Sequence, residues 1–127
     1  MRAKLLVAVC LSAMLSIASR PLVAHHGTAA FDTSNMVTLK GTMTDFQFIN
    51  PHVQLFFDVK SDSGEVEHWQ AELTAPNKLI RAGWTKHTLN PGDHVTVSGY
   101  TIKSGKHSLW IQKLIGPDGQ SIPLFEQ

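Results

Sequence analysis

Histidine is the residue type with the most chemical potential in this 127-residue chain, which contains seven histidines. His25 and His26 are adjacent, and His52 follows a proline that stiffens the backbone before it. If the chain is cut after Ala24, His25 carries a free α-amino group beside its imidazole, and these two nitrogens can chelate one ion. A further imidazole completes a nitrogen set that suits Cu(II), and Zn(II) or Ni(II) less selectively. The pattern predicts a metal site made by His25, His26 and His52, with copper as the metal.

A second interpretation of the same residues stays open. Two histidines at a new N-terminus can simply be solvated, and His52 can cap a turn or bond a backbone carbonyl. The four remaining histidines lie on polar strand faces or beside turns, which makes each a weak ligand candidate: His68, His87, His94 and His107.

Catalytic patterns are sparse. Glu72 and Asp93 could act as general acid and base, but no nucleophile accompanies them, and Asp93 follows Pro-Gly as a turn residue does. The sequence has no glycine-rich phosphate loop and no Ser-His-Asp order. A binding protein is therefore favoured over an enzyme, and a histidine-brace copper oxidant is the one enzyme that the chemistry suggests.

The first 24 residues have the pattern of a cleavable signal peptide. Arg2 and Lys4 precede an apolar run over 5–17, which is too short to span a bilayer because a spanning helix needs about 20 residues. The small residue Ala24 marks the expected cut, and a cut after Ala18 is the alternative. The pattern predicts an exported protein, either periplasmic or secreted.

Cleavage would change the chemistry of the chain. It removes Cys10, the single cysteine, and so excludes disulfides and thiolate ligands. The formal charge changes from +1 to −2, because eight basic and ten acidic residues remain. An acidic chain is unsuited to nucleic acid, which needs a basic face. The rest of the chain has no second apolar segment long enough to span a membrane.

The mature chain is predicted to consist of an extended N-terminal arm over 25–36 and one β-rich domain over 37–127. Apolar alternation and turn residues predict five strands, a short helix that opens at Pro76, and a short last strand over 122–125. The strands are expected at 37–49, 53–60, 65–73, 94–102 and 107–115. Gly41 suggests a bulge or a bend in the first strand.

Three strands, a short helix and two further strands are the element order of the OB-fold. The predicted fold is mainly β: a small five- to six-stranded OB-fold-like barrel with the helix between strands 3 and 4, preceded by the helix of the signal peptide. A small β-sandwich is the structural alternative.

Several motifs, in their order and spacing, resemble the DUF6152 family of small exported bacterial proteins of unknown function. They include Ala24-His25-His26-Gly27, Asn50-Pro51-His52, Glu72-Leu73, Gly83-Trp84 and Pro91-Gly92-Asp93-His94. The resemblance implies an exported small β-barrel and brings no established activity. The chain departs from the family at Thr74-Ala75, where a serine or glycine-serine usually precedes the helix proline.

The sequence supports three functional hypotheses. The first is an extracytoplasmic module that binds copper through its N-terminal histidines for sequestration or delivery. The second is a metal-free barrel that binds a small ligand or a protein partner. The third, and least favoured, is the histidine-brace enzyme.

Overall fold

The computed structural model describes residues 27–125, so the predicted signal peptide and the two N-terminal histidines lie outside the described residues. After a short 3-10 helix, Thr28–Ala30, come five strands and one α-helix. The strands are β1 (Phe31–Gln47), β2 (Gln54–Lys60), β3 (Val66–Glu72), β4 (His94–Ile102) and β5 (Ser108–Ile115), and the helix α1 is Pro76–Arg81.

The five strands close into a barrel in the order β1-β2-β3-β5-β4. β1 is long enough to serve two neighbours: its first part pairs with β4, its last part pairs with β2, and Thr42 pairs with both. The parallel pairing of β3 with β5 completes the ring. The mainly β, OB-fold-like barrel predicted from the sequence is confirmed, and the closed ring argues against the sandwich alternative.

The beginning of β1 differs from the expectation. The strand starts at Phe31 and not at residue 37, because Phe31 pairs with Ile102 and Met36 with Tyr100 of β4, with a shift of register between them. Much of the segment predicted as an arm is therefore strand.

Gly41 does not mark a bulge. It pairs regularly with Val95, and the register of β1 against β2 shifts instead between Met43 and Asp45. A Cβ atom on Gly41 would lie 2.7 Å from the carbonyl oxygen of Asp58. Glycine is needed at position 41 because β1 and β2 approach each other closely there.

Alternating side chains of the strands fill the barrel, and α1 contributes to the same core. Leu55, Phe57 and Ala71 of the β2–β3 hairpin are fully buried. Leu79 of α1 and the following Trp84 are also buried, whereas Ile80 of α1 is 57% exposed.

The helix ends just before Gly83, which has a φ of 90°. The prediction of a last strand over 122–125 is wrong: these residues form no strand, and a single bridge joins Ile115 to Ser121 just before them. Within residues 27–125, no helix has the length and apolar character needed to cross a membrane.

Candidate functional site

A cavity of about 290 Å³ lies beside His52 on the outside of the barrel. Its lining combines four polar side chains with an apolar wall and the backbone of Gly27. The polar side chains are those of Thr28, His52, Glu72 and Thr74. The apolar wall is formed by Phe31, Leu73, Trp110, Ile111, Leu124 and Phe125. An apolar cavity with a few polar groups is the usual form of a small-ligand site.

Two backbone contacts hold His52 in place at the entrance to β2. The amide of Val53 donates to the carbonyl of Thr74 over 3.1 Å, and the amide of Leu73 donates to the carbonyl of Val53 over 2.9 Å. His52 is preceded by a cis peptide bond between Asn50 and Pro51. The segment before β2 is thus tied to the segment that follows β3.

His52 and Glu72 form the polar contact of the cavity. Nδ1 of the imidazole is hydrogen-bonded to Oε1 of the carboxylate. The two side chains are partly exposed, at 41% for His52 and 34% for Glu72. Both groups can therefore meet a ligand from solvent while remaining in contact with each other.

Closure of the barrel brings the beginning of β1 to the same place. Glu72 on β3 lies opposite Trp110 on β5, and Trp110 lies opposite Tyr100 on β4, which pairs with Met36 on β1. These four residues form a row across the outer face of the barrel. The ring of Phe31 then packs at 6.2 Å from the ring of Trp110.

Lys103 holds the chain just before β1. Its amide donates to the carbonyl of Ala30 over 2.9 Å, and its Nζ donates to the carbonyl of Ala29 over 3.0 Å. Gly27 consequently lines the cavity together with His52. Closure of the ring through β4 and β5 thus brings the residues just before β1 to the cavity.

Of the three predicted metal ligands, His52 lies in this cavity, and His25 and His26 lie outside the described residues. Among residues 27–125, no three side chains of histidine, cysteine, aspartate or glutamate form a group that could hold a metal ion. The described part of the chain thus brings together His52 and Glu72.

The other histidines are exposed elsewhere on the surface, as expected from their positions on polar strand faces or beside turns. His68 is 83% exposed and contacts Asp58 over 2.6 Å between Nδ1 and Oδ1. His107 stacks on Trp69 with ring centroids 4.7 Å apart. His94 is also exposed, in agreement with the sequence pattern.

The tryptophans separate into different roles. Trp84 is buried in the core and donates its indole N–H to the carbonyl of Pro123 over 2.6 Å. Trp69 is half-buried, and Trp110 lines the cavity. The sequence alone allows a pocket role for the three tryptophans but favours core packing, and it suggests Glu72 only as a general acid or base; the structure places Trp110 and Glu72 in the cavity lining. Asp93 is a turn residue that accepts a bond from the amide of Asn90.

Comparison with known proteins gives a family and a fold. A family model with the description "Family of unknown function (DUF6152)" matches residues 13–110. None of the curated proteins matches the chain.

Solved structures include similar folds at low identity. The mitochondrial single-stranded DNA binding protein Rim1 of S. cerevisiae is 10% identical, with a TM-score of 0.51 over 65% of this chain and 92% of that chain. A ZRD-deleted mutant of TiaS in complex with agmatine is 20% identical, with a TM-score of 0.44 over 76% of this chain and 23% of that chain. The likeness to Rim1 supports the OB-type fold alone.

Proposed function

This chain belongs to the DUF6152 family of unknown function, and from that premise we propose that it is an exported small β-barrel that binds a transition metal, copper first. The proposed ligands are His25, His26 and His52, and the proposed role is sequestration or delivery. The observation that carries the proposal is that Gly27, the residue directly after His26, lines the same cavity as His52.

Covalent geometry supports the participation of the N-terminal histidines. Consecutive Cα atoms are about 3.8 Å apart. The Cα atom of His26 therefore lies about that far from the Cα atom of Gly27, which lines the cavity. His25 is one residue further, and its side chain adds to its reach. The contacts of Lys103 with Ala29 and Ala30 hold these two residues, which follow Gly27 and Thr28, against the barrel.

The donor set supports copper as the first choice. The three imidazoles and a terminal amine are all nitrogen donors, and Cu(II) binds such sets most tightly among the common divalent ions. The proposed mature chain has no cysteine, so no thiolate competes for the metal. Its formal charge of −2 also favours a cation over an anion as the ligand.

Export and metal binding are coupled in this proposal. The α-amino group of His25 becomes available only when the signal peptide is removed after Ala24. The uncleaved chain would lack that donor and would bind copper more weakly. The metal site would therefore be completed only after the chain has left the cytoplasm.

The apolar part of the cavity favours a second candidate function, a metal-free site for a small ligand. Phe31, Trp110, Leu124 and Phe125 provide a wall that an apolar molecule could cover. This candidate predicts binding that does not depend on the N-terminal histidines or on added metal.

Titration of the mature protein with Cu(II) against a competing chelator separates the two candidates. The N-terminal residue of the exported protein is first identified by mass spectrometry and is expected to be His25. We then expect one Cu(II) per chain, and His52→Ala should lower the affinity by about tenfold or more, since even indirect supports of a metal site cost that much.

His68→Ala is the matched control, because His68 also contacts a carboxylate but does not line the cavity. It should leave the Cu(II) affinity unchanged. Equal affinities of the wild type and His52→Ala would contradict the proposed role of His52. An equal loss in both variants would contradict the proposed location.

A further inference from the structure

We infer that Glu72 is a positioning residue: it keeps the proton of His52 on Nδ1 and so makes Nε2 the nitrogen that binds the metal. This inference rests on the proposed function and names a residue that the predicted ligand set does not include.

The chemistry of the two groups decides where the proton lies. A carboxylate has no proton to give, so the bond between Glu72 and Nδ1 of His52 requires Nδ1 to donate. A neutral imidazole carries one ring proton, and the other nitrogen then holds the lone pair. With Nδ1 committed as the donor, the lone pair that a metal ion needs belongs to Nε2.

The fold gives Glu72 a fixed position from which to do this. It is the last residue of β3, with Gln54 of β2 opposite on one side and Trp110 of β5 opposite on the other. His52 is held from its own side by the contacts of Val53 with Thr74 and Leu73. Strand pairing thus fixes Glu72, and the backbone contacts of Val53 fix His52. Together they set the orientation of the imidazole.

A preset orientation benefits metal binding. A ligand that already points in the required direction loses less conformational freedom when the metal arrives. A carboxylate on the second ring nitrogen also makes a histidine a better electron donor, and the loss of such a partner typically costs about 10- to 100-fold in metal affinity.

A second histidine–carboxylate pair, which does not line the cavity beside His52, provides a matched control. Asp58 contacts Nδ1 of His68 at 2.6 Å, in the same arrangement as Glu72 and His52. That pair lines a different depression on the barrel surface, together with Trp69 and His107. Removing its carboxylate alters a histidine of the same kind without touching the proposed site.

The experiment compares wild type, Glu72→Gln and Asp58→Asn, each as the mature chain. Long-range ¹H–¹⁵N spectra of the metal-free proteins report which ring nitrogen of His52 carries the proton, and competition titration gives the Cu(II) affinity. We expect protonation on Nδ1 in the wild type and in Asp58→Asn. In Glu72→Gln we expect loss of that preference, together with a 10- to 100-fold weaker Cu(II) affinity.

Three results would overturn the inference. Glu72→Gln could retain both the Nδ1 proton and the wild-type affinity. It could lose affinity with the tautomer unchanged, which would make Glu72 a direct ligand or a distant charge. Glu72→Gln and Asp58→Asn could also lose affinity equally.

Failure of the proposed function gives a different pattern from failure of this inference. If the wild type binds no Cu(II), or if His52→Ala binds as tightly as the wild type, the metal site itself is wrong. The tautomer of the metal-free protein still reports whether Glu72 positions the ring. Amide spectra that retain the barrel shifts in Glu72→Gln show that the variant is folded.

Discussion

The contact between His52 and Glu72 joins two residues that are far apart in the chain but adjacent in the β2–β3 hairpin. Gln54 lies opposite Glu72, which places Glu72 diagonally from the residue that enters β2. The turn at Ser61–Gly64 sets this register, so the neighbourhood of His52 and Glu72 could have been predicted from the hairpin. The hydrogen bond between the two side chains could not have been predicted, because it depends on the course of the backbone before β2.

The pKa of the Asp32 carboxyl group tests the local structure at the start of β1. The Ser34 hydroxyl and then the Ser34 amide donate to its Oδ1, at 2.5 and 3.1 Å, and Lys103 adds a smaller attraction. These contacts hold the pKa of Asp32 below its ordinary value. They stabilise the folded chain above the ordinary carboxyl pKa, and this stabilisation is lost as the pH falls through the lowered pKa.

Ser34→Ala should therefore raise the pKa of Asp32, measured by NMR titration of its carboxyl carbon. Ser63→Ala is the control, because the Ser63 hydroxyl contacts Ser61 and not a carboxylate. A midpoint for Asp32 that is identical in wild type and Ser34→Ala would show that the contact of the Ser34 hydroxyl with Asp32 does not form in solution.

At the scale of elements, β1 organises the molecule because it pairs along both of its sides. Its central part was predictable from β-branched and aromatic residues. Its first six residues were not, because Asp32, Ser34 and Asn35 are typical of turns and the segment is mostly exposed. Phe31 and Met36 pair with β4 at the two ends of this segment, and the register shifts between them, so Asp32 and Ser34 keep a local contact inside the strand.

The β4–β5 pair shapes the wall of the cavity, and Gly99 controls how closely its strands approach. A Cβ atom at Gly99 would lie 2.2 Å from the carbonyl oxygen of Trp110. Gly99→Ala should destabilise the metal-free protein by about 1–3 kcal/mol, since the contacted atom is backbone and the strand must shift.

Urea unfolding of Gly99→Ala and Gly27→Ala measures this effect. Gly27 has a φ of −60°, and no atom within 4 Å would meet an added Cβ, so its variant should unfold like the wild type. Equal midpoints for the two variants would contradict the close approach of β4 and β5.

At the scale of the whole molecule, closure of the ring creates the candidate site. The β1–β4, β4–β5 and β5–β3 pairings bring the beginning of the described chain to the end of the β2–β3 hairpin. Element order predicted a barrel, because three strands, a helix and two strands are typical of the OB-fold. Periodicity describes only local structure, so it could not predict the parallel β3–β5 register that places Trp110 beside Glu72.

The central claim is that copper binds at a site formed by the N-terminal histidines of the mature chain and His52. NMR with paramagnetic Cu(II) tests this claim most directly. Cu(II) broadens the signals of nearby nuclei, so a substoichiometric amount added to the ¹⁵N-labelled mature protein marks its position. We predict loss of the amide signals of Gly27, Val53 and Leu73 and of the indole signal of Trp110, while the amide signals of His68 and His94 persist. Signal loss centred on His68, His94 or His107, with the cavity signals intact, would contradict the account.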